Sequence, residues 1–386
     1  KIYKTCLRGL CNSVHIASHC FIEIALDTLV DSFGTFTCLR KGLRDSKPKN
    51  IECTNTLLKI ALEDKNFLRG AWEIVMGELS ALDRMQLLSQ SFNVDDMKQL
   101  FAESPELDRE SIIDFIRAMC HTSNLELSEN PPRFFLLEQV RIVAVFNMQR
   151  PRYIWMPIWD IIGEYLLNIS TGSTSQLEIA LMGVNTLTQI AKAFLDQPEL
   201  TQFHFQRHFM FPFQQIFEKQ TSFEVHDYVL ENLLKIIESD AGDKLQSGWS
   251  VIFDLLTIAS VDSKLQERAF NLVSIIVKKY LGIISSIDLI SVLSNFFANA
   301  ENIKLREQSV FFLGEVSKIL PIKEENSWFS IFAALGHSGQ NEVDSVRVQS
   351  HEVYLTILKT IDLPKNLLKS AIEEALPQYF EATEFH

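Results

Sequence analysis

The sequence predicts an all-α fold, an irregular α-solenoid of HEAT- or armadillo-like antiparallel helix pairs. Three observations carry that prediction. Apolar residues recur at spacings of three and four along nearly the whole 386-residue chain, the period of helices that bury one face. Breakers are scarce, with 14 Gly and 11 Pro, and no stretch alternates apolar and polar residues between turns as a half-buried strand does. A degenerate internal repeat supplies the unit. Trp159, Trp249 and Trp328 each read as opening a helix, with Ile162, Ile252 and Ile331 three positions on and Glu178, Arg268 and Arg347 nineteen positions on. The Trp spacings of 90 and 79 residues are each about two units of 40–45 residues, the length of one such hairpin.

Taken in order, Lys1–Leu10 reads as helix and lacks the apolar core and small-residue cleavage site of a signal peptide. A chain that starts inside a helix reads as a fragment of something longer. Polar breaks near 41–50, 103–108, 122–133, 170–176, 240–247, 260–264, 321–327 and 337–343 give roughly seventeen or eighteen helices. Pro151 and Pro198 suit first helical turns, and Ser173 can cap the helix that follows it. Pro157, inside Arg152–Ile169, should kink or restart that helix. Phe223–Ser239, Leu265–Tyr280, Ile303–Leu320 and Val343–Ile361 are amphipathic helices with charges between their apolar positions. Ser89–Asn93 and Gly282–Ser286 are the best candidate boundaries.

Composition narrows the function classes. Hydrophobic residues at 47% against 22% charged exclude disorder as the main state. A net charge of −13 disfavours nucleic acid as a partner, since a phosphate backbone asks for a basic surface. No apolar run reaches the roughly 18 residues of a membrane span. Six cysteines at 6, 11, 20, 38, 53 and 120, with no C-x-x-C pair, read as reduced core thiols of a cytosolic protein. Asn168-Ile169-Ser170 is a chance glycosylation tripeptide in that setting. One local exception to the acidity is Arg40, Lys41, Arg44, Lys47 and Lys49 against Asp45. That patch reads as a solvated turn, or as a contact for anionic lipid or an acidic partner.

Motifs for chemistry are mostly missing. No phosphate loop, dinucleotide fingerprint or nucleophile elbow occurs, so no cofactor is expected. Cys11, His15 and His19 share one helical face at i, i+4 and i+8, a spacing that suits three zinc ligands. No fourth ligand frames them, so a packed or half-exposed face is the expected reading and no metal is assigned. His204 and His208 lie in the Phe-rich run FHFQRHFMFPF, which reads as core filling. Asp95-Asp96 and Glu324-Glu325 read as solvated faces.

Several segments match a family pattern in order. FLLEQVRIVAVFNMQRPRYIWMPIWDIIGEYLL (135–167) places Asn147, Met148, Arg150, Arg152, Trp155, Ile158 and Trp159 in register with N-M-x-R-I-R-x-x-W-x-x-I-W. DQPELTQFHFQRHFMFPFQQIFEK (196–219) is similar to E-x-x-E-L-x-x-F-x-F-Q-x-x-F-L-K-P-F, and Gln246-Ser247-Gly248-Trp249 to a K-S-G-W element. Residues 47–88 resemble a K-N-I-x-x-x-K-T-L stretch, and Trp328–Ile361 a W-x-P-L-L…D-x-R-x-E-V-R region. Together these resemble the large Arf guanine-nucleotide exchange factors, nearest the brefeldin A-inhibited, trans-Golgi type. Pro157, Pro151 and Ala25 depart from the pattern, which marks a divergent member.

The resemblance implies a division of the chain. Residues 1–90 would link from the catalytic exchange domain, 91–285 form the first downstream homology region, and 286–386 begin the second. The family's glutamate-finger motif, F-R-L-P-G-E, is not in this sequence. The family places it upstream, so this chain is expected to be non-catalytic. Implied partners are activated small GTPases of the Arf, Arf-like and Rab families, the Golgi membrane surface, and the exchange domain in the same protein. The implied location is cytoplasmic and peripheral on trans-Golgi membranes. Arg141, Asn147, Arg150 and Arg152 are the expected partner contacts, while Trp155 and Trp159 are expected in the core. The rival readings are a HEAT-type transport or scaffold protein binding a cargo peptide, and a helical metal hydrolase built on Cys11, His15 and His19.

Overall fold

The computed structural model describes residues 2–39, 47–84, 94–172, 177–197 and 204–375. Among the described residues there are eighteen α-helices and no strand, so the all-α prediction holds. Two compact units divide the chain near residues 172–195. In the first, the helices are α1 Ile2–His19, α2 Glu23–Thr37, α3 Pro48–Glu63, α4 Trp72–Arg84, α5 Val94–Ala102, α6 Arg109–Leu127, α7 Phe135–Asn147, α8 Arg152–Ser170 and α9 Leu177–Leu195. The second holds α10 Phe205–Lys219, α11 Phe223–Glu238, α12 Trp249–Ala259, α13 Gln266–Tyr280, α14 Ser286–Asn299, α15 Ile303–Ile319, α16 Glu325–Gly339, α17 Asp344–Thr360 and the short α18 Lys365–Ser370.

Within each unit, helices pack on the next helix and on the next but one. In the first unit α1, α3, α5 and α7 form one layer and α2, α4, α6 and α8 the other. In the second, α10, α12, α14 and α16 stack against the layer of α11, α13, α15 and α17. This is the arrangement of stacked antiparallel hairpins that the 40–45-residue period predicts. Its core is aliphatic with aromatic cross-links. Trp72 meets Phe115 edge-on at 4.8 Å between ring centroids, and Phe270 meets Phe296 at 5.2 Å. Each fully buried side chain of this size contributes roughly 1.5–3 kcal/mol.

Apolar layers alone would let hairpins slide past one another. Polar side chains fix them by reaching one repeat along. The buried Gln206 donates from Nε2 to the Lys244 carbonyl (3.0 Å) and accepts the Gln246 N–H at Oε1 (2.7 Å). Gln266 donates to the Asn299 carbonyl (2.8 Å) and accepts from the Glu301 N–H (3.1 Å). The Tyr280 hydroxyl donates to the Ile237 carbonyl (2.7 Å). In the first unit, Asn66 accepts from the Asp108 N–H (2.8 Å), and Ser111 donates to the Asn66 carbonyl (2.8 Å).

Several expectations need correction. Of the three repeat tryptophans, Trp249 opens a helix, whereas Trp159 and Trp328 lie inside α8 and α16. The break expected at 122–133 begins later, because α6 runs on to Leu127. Its polar Thr122, Ser123 and Glu126 are buried, and Ser123 accepts from the Tyr165 hydroxyl at 2.7 Å. Pro157 does not restart a helix: α8 continues through it. The carbonyl that Pro157 leaves without a partner belongs to Tyr153, in the exposed first turn where water can reach it. Pro151 is the N-cap of α8 rather than its first residue. Cys53 and Cys120 are buried thiols, but Cys6 and Cys20 are exposed on and just after α1. His204 and His208 are exposed, while Phe209, Met210 and Phe213 fill the core as expected. Ser173, Pro198 and the Ser89–Asn93 boundary lie outside the described residues.

Two stability predictions follow from these contacts. Gln206→Ala strands the loop groups that the amide now satisfies, so it should cost about 2–3 kcal/mol, whereas Arg207→Ala, on the exposed side of the same helix, should change stability by no more than about 0.5 kcal/mol. Urea unfolding of both variants tests this; equal midpoints would mean that the clasp contributes nothing. The second concerns His226, which stacks on Phe217 at 4.2 Å with no partner on Nε2. Burial holds its pKa below the ordinary histidine value. The unfolded chain therefore binds this proton more tightly. The associated stability is present above about pH 6.5 and is lost as pH falls toward the lowered value, by at most about 1.4 kcal/mol per pH unit. His226→Phe should flatten the fall in melting temperature between pH 7 and 5, and an unchanged slope would exclude His226 as its source.

Candidate docking surface

The N-M-Q-R-P-R motif spans the end of α7 and the start of α8, and its residues divide into two kinds. Asn147 is fully buried. Its Nδ2 donates to Ser104 Oγ and to the Val143 carbonyl, both at 2.9 Å, and its Oδ1 accepts from Arg150 Nη1 at 3.2 Å. Arg150 in turn donates from Nη2 to the Leu107 carbonyl at 2.6 Å. Burial lowers the Arg150 pKa, with nearby Asp108 opposing that shift. These two residues thus hold the loop before α6. Arg152 sits exposed in the first turn of α8. Arg141 lies on the outer side of α7 and pairs with Glu138 at 3.0 Å. The Arg141 pKa is raised, chiefly by that hydrogen bond. Trp155 and Trp159 are buried and stack at 6.3 Å.

The F-x-F-Q and S-G-W elements meet in the second unit. Beyond the Gln206 bonds, the Arg207 N–H donates to Ser247 Oγ at 3.1 Å. Gly248 lies so close that a Cβ there would press on the Leu245 side chain. Trp249 packs at 5.0 Å from Tyr280. A Cβ at Gly242 would collide with the Ile237 carbonyl and the Tyr280 hydroxyl. Sequence spacing gave no hint of these pairings; the match to a family pattern was the only signal.

In the basic patch, Lys47 is the N-cap of α3 and Lys49 lies in its first turn, both exposed. Arg40, Lys41 and Arg44 lie outside the described residues. The Cys11, His15 and His19 face is turned to another purpose. His15 Nδ1 is 2.7 Å and His19 Nε2 3.3 Å from the carboxylate of the buried Asp64, which also accepts from Ser18 Oγ at 3.0 Å. This cluster pins α1 to the end of α3, and among the described residues no three His, Cys, Asp or Glu side chains are arranged to hold a metal ion. Asp64 escaped the sequence reading because it sits 49 residues from His15. No helix among the described residues is long and apolar enough to cross a membrane.

Comparison with known proteins bears on these motifs. Residues 193–275 match the family model described as Mon2/Sec7/BIG1-like, HDS. Those residues contain the whole Gln206–Trp249 clasp. The chain is also 26% identical over 359 residues to brefeldin A-inhibited guanine nucleotide-exchange protein 3 of Arabidopsis thaliana, covering 72% of this chain and 20% of that protein. Against brefeldin A-inhibited guanine nucleotide-exchange protein 1 of Homo sapiens the identity is 26% over 367 residues, covering 78% and 20%. Over about three-quarters of its length this chain is similar to brefeldin A-inhibited exchange proteins. It spans about a fifth of the length of the curated relatives it matches. A solved circular tandem repeat protein also aligns, with a TM-score of 0.30 and 14% identity over 99% of this chain and 97% of that one. The resemblance to brefeldin A-inhibited exchange proteins thus extends through segments whose residues hold hairpins together.

The two kinds of arginine separate experimentally. Arg150→Ala removes a donor from the buried Asn147 and Leu107 carbonyl groups and should lower stability by about 1–3 kcal/mol. Arg152→Ala should stay within about 0.5 kcal/mol. Thermal unfolding followed by circular dichroism compares them; equal losses would place both arginines in the scaffold.

Proposed function

We propose that this chain is the non-catalytic regulatory part of an Arf guanine-nucleotide exchange factor acting in Golgi vesicle traffic. Its residues 1–90 link from the exchange domain, 91–285 form the first downstream homology region, and 286–386 begin the second. The supporting observation is the ordered set of family motifs, matched by relatives over about three-quarters of the chain in a sequence without the glutamate-finger motif. In this reading the chain docks activated GTPases of the Arf, Arf-like or Rab families, rests peripherally on cytoplasmic Golgi membrane, and restrains or releases the exchange domain. Stacked hairpins suit docking, because they present long surfaces built on a stiff frame.

Arg152 and Arg141 are the residues to meet the GTPase, with Asn147 and Arg150 positioning the turn that carries Arg152. Lys47 and Lys49, with Arg40, Lys41 and Arg44, serve the membrane. A docking surface distinguishes nucleotide states only by differential affinity for ordered and loose switch regions. Lipid charge acts second, since salt screens it over about 8–10 Å. Two measurements test the reading. Liposome co-sedimentation with lipid-anchored GTPase should show recruitment by the GTP form, reduced at least fivefold by Arg152→Glu; equal recruitment by both nucleotide forms would end the effector reading. Release of a fluorescent nucleotide from an Arf-type GTPase should be unchanged by this chain alone, and acceleration beyond a few-fold would mean that it carries exchange chemistry after all.

A further inference from the structure

The first unit contains two large cavities of opposite character. One, of about 680 Å³, lies beside Pro157 and is lined largely by charge: Arg69, Arg109 and Arg117 face Glu110, Asp114 and Asp160. Arg69 there is already held by Glu110 at 2.8 Å, so opposite charges balance around it. The other, of about 670 Å³, lies among α1, the end of α2 and the start of α3. Its lining is mostly apolar and includes two cations, Lys47 and Lys49.

We propose that this second groove binds the acyl chain of an anionic lipid, with Lys47 and Lys49 receiving the headgroup. Leu7, Leu10 and Phe36 line it together with the sulfurs of Cys6, Cys38 and Cys53. Thiols in such a wall behave as small apolar groups. The neutral polar side chains among the lining residues, Tyr3 and Asn50, are engaged by the fold. The Tyr3 hydroxyl donates to the Lys49 carbonyl at 2.5 Å and lies 3.2 Å from Cys53 Sγ. Asn50 Nδ2 donates to the Phe36 carbonyl at 2.7 Å. Burial pushes the Cys53 thiol and the Tyr3 phenol upward, so both stay uncharged at neutral pH. Phe36 is 55% exposed, apolar area that an occupant would cover. Lys47 and Lys49 stand exposed at the mouth, on the first turn of a 16-residue helix whose N-terminus adds partial positive charge. An anionic head on a slim apolar tail satisfies both ends, and the tail must be slim because the groove reaches down to Cys53, which is 2% exposed.

This proposal deepens the membrane part of the reading above and does not depend on any GTPase contact. Calorimetric titration of the full chain with sodium alkanoates below their micelle concentration tests it. Affinity should rise up to about fourfold per added methylene and then level off once the groove is full. Dodecanol should bind at least tenfold more weakly than dodecanoate. The double variant Lys47→Glu/Lys49→Glu should lose at least tenfold for dodecanoate and little for dodecanol, whereas Phe36→Glu should weaken both. Because all three positions are exposed, the variants should keep the parent circular dichroism spectrum. Dodecanoate should also slow alkylation of Cys6, in the groove, but not of Cys20, which is exposed outside it. Vesicles containing phosphatidylserine should compete with dodecanoate and neutral vesicles should not. Binding that ignores the lysines, leaves Cys6 unprotected or lacks a chain-length plateau would overturn the proposal. So would an acidic amphipathic peptide that occupies the groove while dodecanoate does not. GTP-dependent recruitment through Arg152 would survive any of those outcomes, so failure here is distinct from failure of the docking reading.

Discussion

The fold depends on one recurring contact, a polar side chain that holds a loop about forty residues away. Asn147 and Arg150 hold Ser104 and the Leu107 carbonyl; Gln206 holds residues 244–246; Gln266 holds Asn299 and Glu301; Tyr280 holds Ile237. Hydrophobic burial supplies most of the free energy that keeps helices together, but it is non-directional. Two apolar helix faces can meet in several registers at similar cost. A buried amide that must satisfy a particular carbonyl and a particular N–H removes that freedom, because a slipped register leaves both groups unpaired in a dry interior. The same distance that measures one hairpin in the sequence therefore measures the reach of these bonds.

This explains where the family resemblance is written. Asn147, Arg150, Gln206 and the Gln246–Trp249 turn are among the residues that carry the match, and each is part of a clasp or packed against one. Gly242 and Gly248 belong to the same devices, since side chains there would displace Tyr280 or Leu245. A pattern shared among relatives can thus report how hairpins are joined and say little about what they touch. Recognition has to be sought on side chains that the frame leaves outward, such as Arg152, Lys47 and Lys49.

The helices were legible because helical period and amphipathicity are local. Phe223–Glu238, Gln266–Tyr280, Ile303–Ile319 and Asp344–Thr360 lie within a residue or two of their expected bounds. Errors arose where a polar residue was buried and satisfied from far away. Thr122, Ser123 and Glu126 looked like a loop because their partners, Tyr165 and the Leu136 N–H, are distant or follow the turn. The Cys11, His15 and His19 face was expected to pack, but its partner was not legible, because Asp64 cannot be seen from their own segment. Arg141, Arg150 and Arg152 looked alike in sequence, yet a salt bridge to Glu138, a buried carbonyl and an exposed first turn give them different chemistry.

Ion pairs hold many of the cations in both units. In the second unit many cations are tied to acids close at hand: Lys244 to Asp196, Arg268 to Asp227, Lys279 to Asp243 and Arg347 to Asp344. Such exposed pairs add little stability, and the first unit has them too, as in Lys4 with Glu52 and Lys59 with Glu63. The first unit keeps Lys47 and Lys49 outside any ion pair among the described residues, beside an apolar groove. On a chain of net charge −13, a long-range field repels an anionic surface, and only short-range contacts can reverse that. A groove that combines two lysines with apolar depth meets the requirement, because burial of the tail adds an attraction that salt does not screen.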